Sequence, residues 1–506
     1  MTTWFEPGDP RYEAKTVGAN RRWRGNPLMV VVPRSTPQVI DAVRVAVETG
    51  MRIGIRSGGH CYEDFAFNEN VDLLLDLSGM ARIEVDLERR AFCVEAGASI
   101  GSMCSTLYRR WGVTVPAGTC ASVGVGGQIC GGGYGILSRL HGLTADHLAA
   151  VEVVVADDPR HVRAVVATCE TLDPHRELWW AHCGAGGGSF GVVTRFWLRS
   201  PQAHGEDPAA WLPRPPDTIV VSDFRWPWEK LLTRADGSVR VTALIQGFGA
   251  WHERHSAPQS RYVDLFSSLT INHRTGFGAR LRVLRDSTTR QWLLDDFVEA
   301  ATLRMDLQPE KIEHRLSWLQ AIAWLGVSDP TLRSKCKSSY HRRSLSPEQS
   351  ATIYRYLTDD GYGNSGALVQ MDSYGGQINA VSAWATAVSH RDSVIKLQFQ
   401  TYWHDATDDG VHLEWIRQLY SDVYAATGGV PVPGDSADGC YINYPDSDLS
   451  DAEQNTSGVP WHTLYYKEHY PALQRIKGCW DPHDVFRHRQ SVRLPEPPPH
   501  SLLPSP

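Results

Sequence analysis

The sequence predicts an α+β protein in two parts: an N-terminal α/β module rich in glycine loops, then a domain with a mainly antiparallel sheet covered by helices. Three observations lead there. Strand and helix patterns alternate at short range up to about residue 200. Three glycine-rich loops, at 56–60, 116–133 and 183–191, interrupt this module and vanish between about 221 and 435. The stretch 201–220 is rich in proline and acidic residues and marks a boundary. A chain of 506 residues also exceeds one ordinary core.

Taken in order, residues 28–34 read as a short buried strand. A helix follows, with Thr36 as N-cap, Pro37 as its first residue, and Val39, Ala42, Val43 and Ala46 on its apolar face. Gly50 ends it, and 52–56 forms the next strand. Further strands are expected at 71–77, 92–96, 149–156, 162–168 and 191–198, with helical periodicity at 99–111 and 138–142. Past the boundary, helices are expected near 289–303, 347–358 and 411–426, and strands at 366–372 and 394–402. The C-terminal stretch carries a strand at 440–444 and a helix near 469–478. Residues 495–506 are proline-rich and read as a disordered tail.

Composition bounds the function. Fifty basic against 57 acidic residues give a net charge of −7, which argues against a nucleic-acid or anionic-membrane surface. Apolar content of 42% and charged content of 21% describe an ordinary globular protein. The first residues, Met1 to Pro7, lack the basic start and apolar run of a signal peptide, and no apolar run has membrane-spanning length. Ten cysteines occur with no CxxC pair, so a zinc site is not expected. They read as mostly reduced and buried, which points to the cytoplasm. Eighteen Trp and eighteen Tyr serve either as large core residues or as ring platforms for a flat ligand or sugar.

Two reactive side chains sit in the glycine loops. His60 closes Arg56-Ser57-Gly58-Gly59-His60, and Cys120 lies in Pro116-Ala117-Gly118-Thr119-Cys120-Ala121-Ser122-Val123-Gly124-Val125-Gly126-Gly127. Glycine lets backbone N–H groups converge on a phosphate without interference from Cβ. An imidazole and a thiol beside such loops suggest a cofactor held by its diphosphate and by covalent bonds. The run from Gly124 to Gly133 fits neither the Rossmann fingerprint nor a P-loop.

These loops, with Gly186 to Thr194, Tyr441-Ile442-Asn443-Tyr444-Pro445-Asp446, Asp481-Pro482 to Phe486 and Gln490-Ser491, resemble the berberine-bridge-enzyme-like branch of the FAD-linked oxidases, which have the vanillyl-alcohol-oxidase fold. The resemblance spans nearly the whole chain and is nearest to actinomycete oxidases of hexoses and glycopeptide-antibiotic sugars, which Asn455 to His462 supports. It implies an N-terminal FAD-binding part over 1–205 and a substrate-binding domain over 206–435. It also implies a segment over 436–494 that returns to complete the site. It further implies FAD attached twice, through His60 to the flavin 8α carbon and through Cys120 to C6. Cys130 competes with Cys120, but the family's linking cysteine precedes the Val-Gly-Val-Gly-Gly run. Arg56, Ser57, Gly58, Gly59, Val123, Gly124, Gly126, Gly127, Gly131, Val193 and Asn443 fall at cofactor-binding positions. Val123 stands where oxygen access is controlled, and Gln128 stands where the family usually carries His.

The implied activity is oxidation of a sugar or secondary-metabolite alcohol, with hydride passing to flavin N5 and O2 giving hydrogen peroxide. The alternatives are oxidation or oxidative cyclisation of a non-sugar natural product, such as a polyketide alcohol, and a flavin-binding protein without turnover. Hydride removal needs a base that reaches the hydroxyl. The resemblance assigns this to Tyr444 of Tyr441-x-Asn443-Tyr444, with Tyr441 as the other candidate and Asp372 assisting. Gln370 and Asp372 share strand parity, as do Gln398 and Gln400, so each pair can face one site. Tyr441 and Tyr444 have opposite parity and share a face only if the strand bends near Asn443, as Pro445 allows. Tyr62 and Tyr134 match substrate-contacting positions. The expected partners are a small-molecule or glycosylated substrate and oxygen, on a monomer or homodimer with no nucleic acid or membrane.

Overall fold

A computed structural model describes residues 3–158, 161–232, 237–326, 329 and 331–496. The expected tail at 495–506 lies, from 497 onward, outside the described residues. Three sheets organise the chain. The first contains β1 (Thr3–Phe5), β2 (Met29–Val32), β3 (Ile53–Arg56) and β4 (Leu73–Asp76) in the order β1-β2-β4-β3. The second contains β5 (Ile83–Asp86), β6 (Ala91–Glu95), β7 (Leu148–Val155), β8 (Arg163–Thr168) and β9 (Val192–Leu198) in the order β5-β6-β9-β7-β8. The third and largest contains β10 (Thr218–Pro227), β11 (Phe266–Asn272), β12 (Gly278–Asp286), β13 (Glu310–Ser317), β14 (Arg333–His341), β15 (Leu368–Ser373) and β16 (Ile395–Trp403). Its order is β13-β10-β12-β11-β15-β16-β14, and every pairing is antiparallel.

The α+β expectation holds, and the expected helices and strands recur within a few residues, with two exceptions. The first is small. Ser35, not Thr36, occupies the N-cap of the helix Thr36–Thr49, because the Thr36 hydroxyl is committed to Glu152 Oε1 at 2.6 Å. The second matters for the site. Residues 440–444 form no strand; the Tyr444 N–H donates to the Tyr441 carbonyl at 2.9 Å and closes a turn.

The seven-stranded sheet divides its faces by strict alternation. Leu269, Ile271, Leu281, Val283, Val369, Met371, Leu397 and Phe399 are buried on one face. Helices Gly237–His255, Gln291–Thr302, Pro347–Leu357 and Asp409–Val423 supply the cover; His252 Nε2, for example, lies 2.8 Å from Ser267 Oγ. The opposite face carries Ser268, Thr270, Arg280, Arg282, Gln370, Asp372, Lys396, Gln398 and Gln400, and all of them line a cavity.

A buried ion cluster ties three distant segments together. Lys335 Nζ lies 2.6 Å from Glu63 Oε1 and 2.7 Å from Asp446 Oδ1. Lys337 Nζ lies 2.7 Å from Asp446 and 2.8 Å from Asp448, and Arg417 adds a contact to Asp448 at 2.8 Å. Burial works against the Asp448 carboxylate, yet Lys337, Lys335 and Arg417 hold it well below its ordinary value of 3.8. This stabilisation is therefore complete above that value and is lost as the pH falls below it. Lys335→Met strands Glu63 as a buried carboxylate without an ion-pair partner among the described residues and leaves Asp446 to Lys337 alone. It should cost roughly 3–5 kcal/mol of stability in denaturant unfolding at neutral pH, with a smaller deficit in acid.

Candidate active site

The site is assembled where the two reactive loops touch. A Cβ on Gly58 would stand 2.2 Å from the Gly124 nitrogen, and one on Gly124 would stand 2.1 Å from Ser57 Oγ. Only glycine permits this approach. Ser57 fastens the join by donating to the Ala96 carbonyl at 2.6 Å and accepting from the Gly126 N–H at 3.3 Å. Arg56 serves structure as well: it donates to the Lys15 carbonyl at 2.7 Å and lies 3.9 Å from buried Asp76.

His60 and Cys120 line one cavity of about 900 Å³, together with Tyr62, Tyr134, Tyr441 and Tyr444. A single ligand pocket takes roughly 300–1,000 Å³, so this cavity stands at the upper end of that range. Burial, followed by the Arg56 charge, pushes the His60 pKa down. Lowering from an ordinary 6.5 favours the neutral imidazole. Cys120 is half-buried, with its Sγ 3.5 Å from Ser122 Oγ. Cys130 is buried in the helix Val125–Cys130, and burial raises its thiol to about 12. Cys61, next to His60, is likewise raised to about 12 by burial. All ten cysteines are free, and five of them are buried.

The residues present fit a flavin dinucleotide. Gly127 and Gly187 face the cavity, and an added Cβ at either would meet nothing within 4 Å. Both polar atoms of the Gln128 side chain are buried in this cavity without a hydrogen-bond partner. Val123 and Val193 also line it.

The C-terminal turn brings the tyrosines in. Asn443 Nδ2 donates to the Gln128 carbonyl and to the Tyr441 hydroxyl, both at 3.0 Å. Gly131 leaves the room, since a Cβ there would stand 2.0 Å from Asn443 Oδ1. Because the segment turns instead of running extended, Tyr441 and Tyr444 reach the same cavity despite their parity, with ring centroids 5.0 Å apart. Opposite them, Lys396 Nζ donates to the Tyr444 hydroxyl at 3.1 Å and lies 3.4 Å from Asp372 Oδ2. The same ammonium stands over the rings of Tyr134, Tyr444 and Tyr441 at 4.2, 4.5 and 5.3 Å. Burial and then the Asp372 carboxylate push the Tyr444 phenol well above its ordinary value; the Lys396 contact is the local opposing force.

Sequence reasoning missed Lys396, although the signal was present. It shares strand parity with Gln398 and Gln400 and pairs in register with Asp372. The expected wall is otherwise assembled. Gln370 Nε2 donates to Asp372 at 2.9 Å, and Gln398 Nε2 donates to the Tyr62 hydroxyl at 3.1 Å and to Cys336 Sγ at 3.0 Å. Gln400 accepts from Tyr402 at 2.6 Å. Tyr134 gives its hydroxyl to the Ser373 carbonyl, so its ring is what faces Lys396.

Fold and site together define a class, the FAD-dependent oxidoreductases. An FAD binding domain model matches residues 27–163, and a berberine and berberine-like model matches 440–493. Aclacinomycin-N/aclacinomycin-A oxidase of Streptomyces galilaeus is 45% identical across 96% of this chain and 89% of its own. The structure of CrmK, a flavoenzyme of shunt product recycling in caerulomycin biosynthesis, superposes with a TM-score of 0.95 at 42% identity, covering 98% and 99% of the two chains. Glycopeptide hexose oxidase DBV29, solved with teicoplanin, gives a TM-score of 0.91 at 41% identity over 97% and 99%. The chain belongs to the berberine-bridge-enzyme-like family of FAD-linked oxidases. Among the described residues no helix is long and apolar enough to cross a membrane.

A Cβ at Gly127 meets no protein atom within 4 Å, so a larger side chain there starts into the open cavity. Gly127→Leu should fold with a near-normal unfolding midpoint but carry much less flavin, read as visible absorbance per protein.

Proposed function

We propose that this enzyme oxidises an alcohol carbon of a sugar or secondary metabolite, using FAD attached through His60 to the 8α carbon and through Cys120 to C6. The observation that carries the reading is the Lys396 to Tyr444 hydrogen bond, set in the cavity that His60 and Cys120 also line. Bound flavin supplies the hydride acceptor and, on reoxidation by O2, the route to hydrogen peroxide.

The protein's own part is to position and deprotonate the substrate. Tyr444 takes the hydroxyl proton. Its phenol ordinarily titrates near 10, and burial raises it further, so it serves as a base only with a cation in contact. Lys396 provides that cation and stabilises the phenolate through its hydrogen bond and its place among three rings. Asp372 holds Lys396 in place, with Gln370 bracing the carboxylate, so it assists the base through the lysine. Tyr441 hydrogen-bonds Asn443 and presents its ring, which supports Tyr444 as the base. Tyr62, Gln370, Gln398 and Gln400 offer a polar wall to substrate hydroxyls. Aclacinomycin-N/aclacinomycin-A oxidase and glycopeptide hexose oxidase, by their names, act on aclacinomycins and on a glycopeptide hexose, and the present chain reads as a tailoring oxidase of that kind. A flavin carrier would have no need of a buried base and cation facing the cavity.

Acid precipitation should leave the yellow colour on the protein. His60→Ala and Cys120→Ala should each retain bound colour, and the double variant should release it. Free flavin from the unaltered protein would exclude covalent attachment. Tyr444→Phe should hold its flavin but fail to reduce it with substrate. Lys396→Met should lower kcat by about 10²–10⁴. It should also shift the pH–rate profile to the alkaline side, because loss of the cation leaves the phenol harder to ionise.

A further inference from the structure

Among the described residues, the cavity-facing side of the large sheet carries one cation, Arg280, without an ion-pair partner. Across β12, β11, β15 and β16 the residues on this face fall into two ladder rows. One reads Arg282, Ser268, Asp372, Lys396, and the next reads Arg280, Thr270, Gln370, Gln398. In the first row each charge is matched. Lys396 lies 3.4 Å from Asp372, and Arg282 makes a two-point contact with Asp223 at 2.7 and 2.9 Å. Arg225, opposite Arg280 on β10, shares that same carboxylate at 3.2 Å.

Arg280 has none of this. Its Nε is buried without a hydrogen-bond partner, and among the described residues no carboxylate forms an ion pair with it. Burial works against its charge, and so do Arg282 and Arg225, which Asp223 only partly offsets. A guanidinium keeps its proton in such a place, so the side chain is a desolvated positive charge turned toward the substrate space. Thr270 adds a hydroxyl in the same row.

We propose that Arg280 receives a carboxylate carried by the alcohol substrate, at the end away from the carbon oxidised beside Tyr444. The position of that carbon rests on the oxidase reading above. From Gln398 to Arg280 there are three strand steps, or roughly 14 Å at the usual spacing. The acid therefore lies a ring or two from the oxidised carbinol. A planar guanidinium can hold it by two parallel hydrogen bonds. Neutral analogues leave a half-buried charge unpaired and bind less well for that reason.

The test uses the holoenzyme and two probes of one shape, biphenyl-4-carboxylate and biphenyl-4-carboxamide, titrated by calorimetry. The acid should bind at least about tenfold more tightly than the amide, the range of one charge-assisted contact. Arg280→Gln should erase that preference, and Arg280→Lys, which keeps the charge but not the fork, should keep part of it. Equal binding of the two probes, binding of neither, or a preference that survives in Arg280→Gln would overturn the assignment. In Tyr444→Phe the acid preference should persist while turnover is lost, so binding reports on Arg280 and turnover on the oxidase chemistry. For the true substrate, the free acid should exceed its methyl ester in kcat/KM through KM.

Discussion

The buried charges around Lys335 are the constraint on which the site depends. Glu63 lies three residues beyond His60, Asp446 two residues beyond Tyr444, and Lys335 beside Cys336 at the edge of the polar wall. Three segments that are far apart in sequence are thus fixed within ion-pair distance of one another, with their charged groups at most 5% exposed. Burial of such charges is costly unless each is paired. Here three cations face three carboxylates, and Ser447 adds hydrogen bonds to Glu63. The arrangement leaves little freedom to the loop that carries His60 or to the turn that carries Tyr444.

The second constraint is the alternation of the seven-stranded sheet. One face must satisfy helices and is apolar; the other must satisfy a cavity and is polar. The register then decides which polar residues are neighbours. It sets Asp372 against Lys396 and Gln370 against Gln398, so the cation that hydrogen-bonds Tyr444 is delivered by β-pairing and not by loop conformation. A site built on strands holds its geometry better than one built on loops. The side that carries His60 and Cys120 is held for a different reason, the glycine-to-glycine contact between their two loops.

Much of this was legible in the sequence. The glycine runs marked the cofactor loops, because glycine in such density has few structural alternatives. Strand parity placed Gln370, Asp372, Gln398 and Gln400 on one wall. The same parity pointed to Lys396, which was overlooked because a lysine on a strand reads as a solvated edge residue. Arg280 was missed because β12 was not anticipated as a strand, although Arg280 and Arg282 alternate with Ala279, Leu281 and Val283 in a period-two pattern. The strand expected at 440–444 failed for a tertiary reason. Tyr441, Ile442 and Tyr444 have strand-like composition, but Asn443 gives its amide to the Gln128 carbonyl within a turn closed by the Tyr444 N–H. The N-cap slip from Thr36 to Ser35 has a similar origin, in the Glu152 contact that no local pattern reveals.

The span of the Lys335 cluster has a consequence for biosynthesis. Glu63 is made early in translation, whereas its partners on β14 and in the 446–448 turn are made 272 and about 384 residues later. At roughly 5–20 residues per second, the N-terminal loops wait tens of seconds for the charges and the asparagine that complete their surroundings. During that interval Glu63 stays in water, and the seat between Gly131 and Asn443 does not exist. Maturation of the cofactor site is therefore a property of the finished chain, and a ribosome-bound N-terminal half already holds both reactive side chains without the architecture that gives them a use.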